Sequence, residues 1–174
     1  GQQFEGLNIV NITNSSQAIV EFKFDFTNSS LDLSGLKIEK QLPGRDYGGI
    51  IIKGLNHTGQ EINKTVYVDR INSSLSSICI KDAEINGFGQ ISARCNGENE
   101  TYILCPNSSG KYNCTVKSNR FIITGLSHSG VRQQTYCGDG NQDPGEDCDG
   151  SDMGNETCQT LGFDRGTLEC EDDC

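Results

Sequence analysis

Residues 17–26 read QAIVEFKFDF, and their apolar side chains fall on alternate positions. Val20, Phe22, Phe24 and Phe26 share one side of an extended chain, while Glu21, Lys23 and Asp25 share the other. Side chains of a strand point alternately to the two faces of its sheet, so this period of two predicts a half-buried strand. Similar runs follow at LKIEKQL (36–42), GGIIIKGL (48–55), KTVYVDRI (64–71), SICIKDAEI (77–85), QISARC (90–95), TYILC (101–105), NCTVK (113–117) and NRFIITGL (119–126). Val, Ile, Phe and Tyr dominate them, and these side chains suit a pleated surface. Gly, Asn and Ser clusters punctuate them at intervals of about 8–15 residues. No window keeps the i, i+3, i+4, i+7 apolar pattern of a packed helix for three turns. The pattern predicts an all-β fold, a β-sandwich or jelly-roll-like domain over residues 1–136, with a small disulfide-rich module at 137–174.

At the start, FEGLNIVNI (4–12) reads as a further strand through Phe4, Leu7, Ile9 and Val10. Two roles suit residues 1–12: a strand donated to the sheet of a neighbouring copy, or the first edge strand of its own domain. The polar stretch NITNSS (11–16) is expected to interrupt it before the strand at 17–26. Two later segments echo each other, IIIKGLNHTG (50–59) and FIITGLSHSG (121–130), and hold His57 and His128, the two histidines of the chain. A metal or acid–base pair is one account of them. The favoured account is a repeated turn at a strand end, with the imidazole bonded to nearby backbone.

NITNSS contains two N-x-[ST] acceptor triplets, and the chain has ten in all, at Asn11, Asn14, Asn28, Asn56, Asn63, Asn72, Asn99, Asn107, Asn113 and Asn155. Its content of Ser and Thr would give roughly two or three by chance. Ten predict covalent N-glycans on surface loops and outward strand positions, and therefore export. The opening GQQFEGL has neither the basic nor the apolar region of a signal peptide, so an exported chain is expected to have lost its signal. No stretch reaches the roughly 18–20 apolar residues of a membrane-spanning helix.

Nine cysteines lie at 79, 95, 105, 114, 137, 148, 158, 170 and 174. CxxC spacing is absent, which disfavours zinc, so Cys79, Cys95, Cys105, Cys114, Cys137, Cys148, Cys158, Cys170 and Cys174 are expected to form disulfides with one left over. Pairing of Cys79 with Cys95 and of Cys105 with Cys114 is favoured because each closes a short loop, although spacing leaves the other connectivities open. The formal charge of −10 is concentrated in the last 38 residues, where twelve acids meet a single Arg165. That tail would repel phosphate, and no basic patch offers itself to nucleic acid.

The tail reads CGDGNQDPGEDCDGSDMGNETCQTLGFDRGTLECEDDC. It resembles the CGDGxxDPGExCD cysteine-rich repeats, with their later LGF and GxLxC elements, of secreted and cell-surface proteins of myxobacteria and some archaea. CIKDAEI (79–85) and FIITGLSHSG (121–130) are more loosely similar to β-rich modules of archaeal secreted proteins. The resemblance implies a structural module on an exported prokaryotic, in the first place archaeal, glycoprotein. It also implies a further Cys soon after the position of Cys174, and so a chain that is trimmed or incompletely seen there. From the residues alone, Asp139, Asn141, Asp143, Glu146 and Asp149 resemble the start of a calcium loop. Pro144 replaces the expected Gly, however, and Gly150 stands where an EF-hand has Glu. A Ca2+ site of another geometry is one candidate and a solvated acidic turn the other.

No nucleophile elbow, phosphate loop or HExxH pair is present, and Asp147 and Asp149 lack the Trp platforms of a sugar-cleaving cleft. An enzyme is not expected. The expected function is a structural, heavily N-glycosylated extracellular protein that self-assembles into a filament or surface layer, with strand donation as a candidate joint. The alternative is a cell-surface adhesion or calcium-dependent carbohydrate-binding module, with surface glycans as partner.

Overall fold

The computed structural model describes residues 4–41, 47–55, 63–135, 140, 142 and 146–171. Strands are numbered along the chain. A six-stranded sheet runs, in spatial order, β1 (Leu7–Asn14), β2 (Gln17–Asp25), β5 (Lys64–Asp69), β10 (Arg120–Leu126), β9 (Tyr112–Lys117) and β8 (Asn107–Ser109). A five-stranded sheet runs β3 (Lys37–Lys40), β4 (Gly49–Lys53), β11 (Ser129–Gln133), β6 (Ser77–Lys81) and β7 (Glu100–Leu104). Every pairing is antiparallel. β10 lies against β5 and β11 against β4, so the late strands retrace the early ones across both layers in jelly-roll fashion.

The main core fills the space between the sheets. Val20, Phe22 and Phe24 of β2, Val66 and Val68 of β5, and Phe121 and Ile123 of β10 pack with Ile50, Ile52, Val131, Ile78, Ile80 and Ile103 of the other sheet. The alternation seen in QAIVEFKFDF is therefore the alternation between core and outer face. GIIIK and SICIK are buried at consecutive positions for a different reason. The back of their sheet is covered too, by a small cluster in which Ile51 and Cys79 meet Ile85, Ile91, Cys95 and Phe88. The covering segment, residues 82–99, is tied down by the Cys79–Cys95 disulfide.

Several expectations are corrected by the structure. QISARC is not a strand: Phe88–Gln90 make a single 3-10 turn, and Ile91 and Cys95 are buried by capping the back of a sheet instead of by pleating into one. β11, SGVRQ, was not expected, because Val131 is its single strongly apolar residue. It nonetheless runs in the middle of its sheet. The side chain of Gln133 finds partners there. The Gln133 carboxamide oxygen accepts from the amides of Gly48 (3.0 Å) and Asn72 (3.2 Å), and its NH2 donates to the Asn72 and Leu75 carbonyls. β8 was also unread.

NITNSS does not break the first strand. β1 continues to Asn14, Ser15 and Ser16 adopt φ of 48° and 68°, and β2 begins at Gln17. Two left-handed residues in a two-residue loop match the right-handed twist of the flanking strands. β1 is thus the edge strand of its own sheet, paired with β2 from Leu7↔Asp25 to Ile12↔Val20 and, after a one-residue register shift, from Thr13↔Ala18 to Asn14↔Gln17. The echo around His57 and His128 has a backbone cause. Gly54 (φ 69°) directly follows β4 and Gly125 (φ 91°) is the second-last residue of β10, each where a Cβ would lie within 2.2 Å of a carbonyl oxygen, and the Leu after each is buried. His57 lies outside the described residues.

Gln133→Ala should leave four backbone groups of two loops without their partner. It is expected to lower unfolding stability by at least about 2 kcal/mol, read as the denaturation midpoint; a loss below about 0.5 kcal/mol would show that water replaces the carboxamide at no cost.

Candidate functional site

The acceptor asparagines are spread over both the strands and the loops. Asn11 and Asn14 lie on β1, Asn107 on β8 and Asn113 on β9. Asn28, Asn63, Asn72 and Asn99 sit in connections and Asn155 in the tail, while Asn56 lies outside the described residues. Eight of the nine described are exposed, and Asn72 is half-buried, its side-chain oxygen accepting the Ser74 amide at 3.0 Å. Strand pairing carries two of them onto one line. Asn11, Glu21, Thr65, Thr124, Asn113 and Ser108 are successive partners across all six strands. Their chain neighbours Val20, Phe22, Val66, Ile123 and Cys114 are in the core, so this polar row lies on the outer face. Sequence spacing alone had no means of finding the row, because it depends on register. Beside it, Ile9, Glu21, Lys23, Asn63 and Thr65 line a shallow groove.

The cysteines serve as staples. Cys79–Cys95, Cys105–Cys114 and Cys148–Cys170 are bridged, with Cα separations of 5.6, 5.4 and 5.7 Å. Cys158 is a half-buried free thiol, and Cys137 and Cys174 lie outside the described residues. Among the described residues, Cys79, Cys95 and Glu100 converge closely enough to suggest a metal site. The two sulfurs are joined to each other, however, and thiolates are what a metal needs. Glu100 is already engaged by the Ser92 hydroxyl and amide, the Gly97 amide (2.7 Å) and Lys81 (3.4 Å). Burial raises its carboxyl, these donors lower it, and the balance falls below the ordinary value.

Of the proposed calcium ligands, Glu146 and Asp149 are buried within the tail module, while Asp139, Asn141 and Asp143 lie outside the described residues. Asp152, which the loop pattern did not include, organises the turn. It exchanges two backbone hydrogen bonds with Asp149, and its carboxylate accepts the Gln142 and Gly154 amides at 3.0 Å. Those two amides hold its carboxyl below the usual range.

At one end of the sandwich, Asp82 gathers the β6, β8–β9 and β10–β11 segments. Its carboxylate accepts the Tyr112 hydroxyl (2.9 Å) and the Ser127 and His128 amides, and pairs with Lys111 at 2.8 Å. The His128 ring meets Glu84 at 3.2 Å, and Lys64 is buried. Burial pushes the Asp82 carboxyl up, but the four donors outweigh it and the group ends below its ordinary value. Burial and the neighbouring Asp82 push the Tyr112 phenol up to about 12. Burial pulls the Lys64 ammonium down against the opposing pull of Glu84 and Asp82. His128 thus serves this anchor through its backbone. Because the Asp82 value is depressed on folding, its stabilisation is complete above the ordinary carboxylate range and is lost as pH falls through the folded value. Asp82→Asn is expected to cost roughly 1–3 kcal/mol at pH 7 and to flatten the acid limb of the stability profile; an unchanged acid limb would show that another carboxylate sets it.

Comparison with protein-family models, with curated proteins and with solved structures finds no match to this chain.

Proposed function

We propose that this chain is a structural, densely N-glycosylated domain of an extracellular or cell-surface protein that assembles with copies of itself. The observation that carries the proposal is the placement of the acceptors: none of the nine described asparagines is in the core, and eight are exposed. Three disulfides support an oxidising compartment. No described helix is long and apolar enough to cross a membrane. Among the described residues no further sheet lies on the outer face of the six-stranded sheet, and sugars on Asn11 and Asn113 would stand towards its two ends.

Self-assembly is supported by β1. Leu7 and Ile9 are 65% and 60% exposed on a sheet edge, an arrangement that single folded chains usually avoid. Strand donation would require β1 to leave its own β2 for that of a neighbour, which is domain exchange. Addition along the free edge requires no such exchange.

Intact mass before and after enzymatic glycan removal is expected to differ by several kilodaltons; an unchanged mass overturns the glycoprotein assignment. Electron microscopy of the native glycosylated material is expected to show filaments or sheets. Dispersed monomers would shift the assignment to an adhesion module, for which calcium calorimetry and a glycan array are the discriminating measurements.

A further inference from the structure

Among the described residues the two sheets end in four edge strands, and three carry a recognisable guard. β3 is four residues long and contains Lys37, Glu39 and Lys40. β7 begins with Glu100 and β8 is only three residues long, directly after Pro106. Charge, proline and brevity are the usual means of keeping an edge from pairing with another chain. β1, LNIVNITN, has eight residues and none of these guards. Its outward side chains Leu7 and Ile9 are among the most exposed apolar groups described.

We infer that β1 is a two-fold interface: it pairs antiparallel with β1 of a second copy, joining two six-stranded sheets into one of twelve. This names one joint of the self-assembly proposed above and rests on it; the joint closes at a dimer, and a filament or sheet needs a second contact between such dimers. The strand suits itself as a partner because it is uncharged, so an interface that uses the same patch twice brings no like charges together. With Ile9 on the two-fold axis, Ile9 faces its own symmetry mate and Leu7 faces Asn11, which covers the apolar strip from both sides. Asn11 is on the outer face and not in the plane of the edge, so a glycan there would lean over the joint without occupying it.

The register within the chain supplies a discriminating variant. Ile9 pairs with Lys23 of β2. In Ile9→Glu the new carboxylate meets Lys23 at home but meets a second carboxylate across the two-fold. Strand exchange would preserve the Glu–Lys pair, since β1 then meets the same β2 position of another copy. Sedimentation velocity of the full glycosylated chain is expected to show concentration-dependent dimers. Ile9→Glu and Ile9→Lys should each raise the dimer Kd at least tenfold, with unchanged circular dichroism and glycan mass, and an equimolar mixture should restore association. Lys117→Glu, on the same face but remote from β1, should dimerise like the unmodified chain. Unmodified protein that stays monomeric, or Ile9→Glu that associates as before, overturns the inference. An Ile9→Glu chain that associates as before defeats the interface alone, an unmodified chain that stays monomeric defeats the self-assembly reading with it, and a dimer without glycan mass defeats the glycoprotein assignment alone.

Discussion

Burial of β4 and β6 on both faces is the constraint on which the rest of this structure depends. Ile50 and Ile52 face the main core while Ile51, between them, faces the opposite way into the cluster around Cys79. A strand apolar on both sides is stable only where both sides are covered, so the chain must supply a lid as well as a second sheet. It does so with an irregular segment, which has too little regular pairing to hold itself in place. The Cys79–Cys95 bridge and the donors that converge on Glu100 fix that lid at both ends. A disulfide of this kind restricts the unfolded chain and typically contributes about 2–4 kcal/mol, enough to matter in a molecule with net stability on the order of 5–15 kcal/mol.

The two sheets therefore solve the same problem differently. The outer side of β4 and β6 is apolar and protein-covered. The outer side of the six-stranded sheet is polar, with Thr65, Thr124 and Glu21 in line between two acceptor asparagines. Sugar on that side would supply bulk over a face that carries no second sheet among the described residues. β1 is the exception, since its outer face begins with the apolar, exposed Leu7 and Ile9 and its edge is open.

The fold class was legible because β2, β5 and β10 have one wet and one dry side, so their period of two survives in the sequence. β11 was not legible because its stability comes from bonds made by Gln133 to residues far away in the chain, and no local pattern encodes those. Ile91 and Cys95 misled for the opposite reason: they are apolar and buried, but by a lid that has no repeat. At the site level, each acceptor triplet is a local signal and could be read directly. The row from Asn11 to Ser108 and the gathering of four donors on Asp82 depend on register and crossover, and they emerge only once the strands are laid side by side.

The position of β11 also bears on the order in which the molecule can be completed. β4 and β6 do not pair with each other; both pair with β11, which is the last strand of the sandwich to leave the ribosome. Until Gln133 has emerged, the five-stranded sheet exists as two separate halves, β3–β4 and β6–β7, each with an apolar edge and an unfinished lid. Closure is then a long-range event that waits on the whole domain, the kind of step that sets slow folding in β proteins. A chain halted between residues 104 and 129 would hold both halves and lack the strand that joins them.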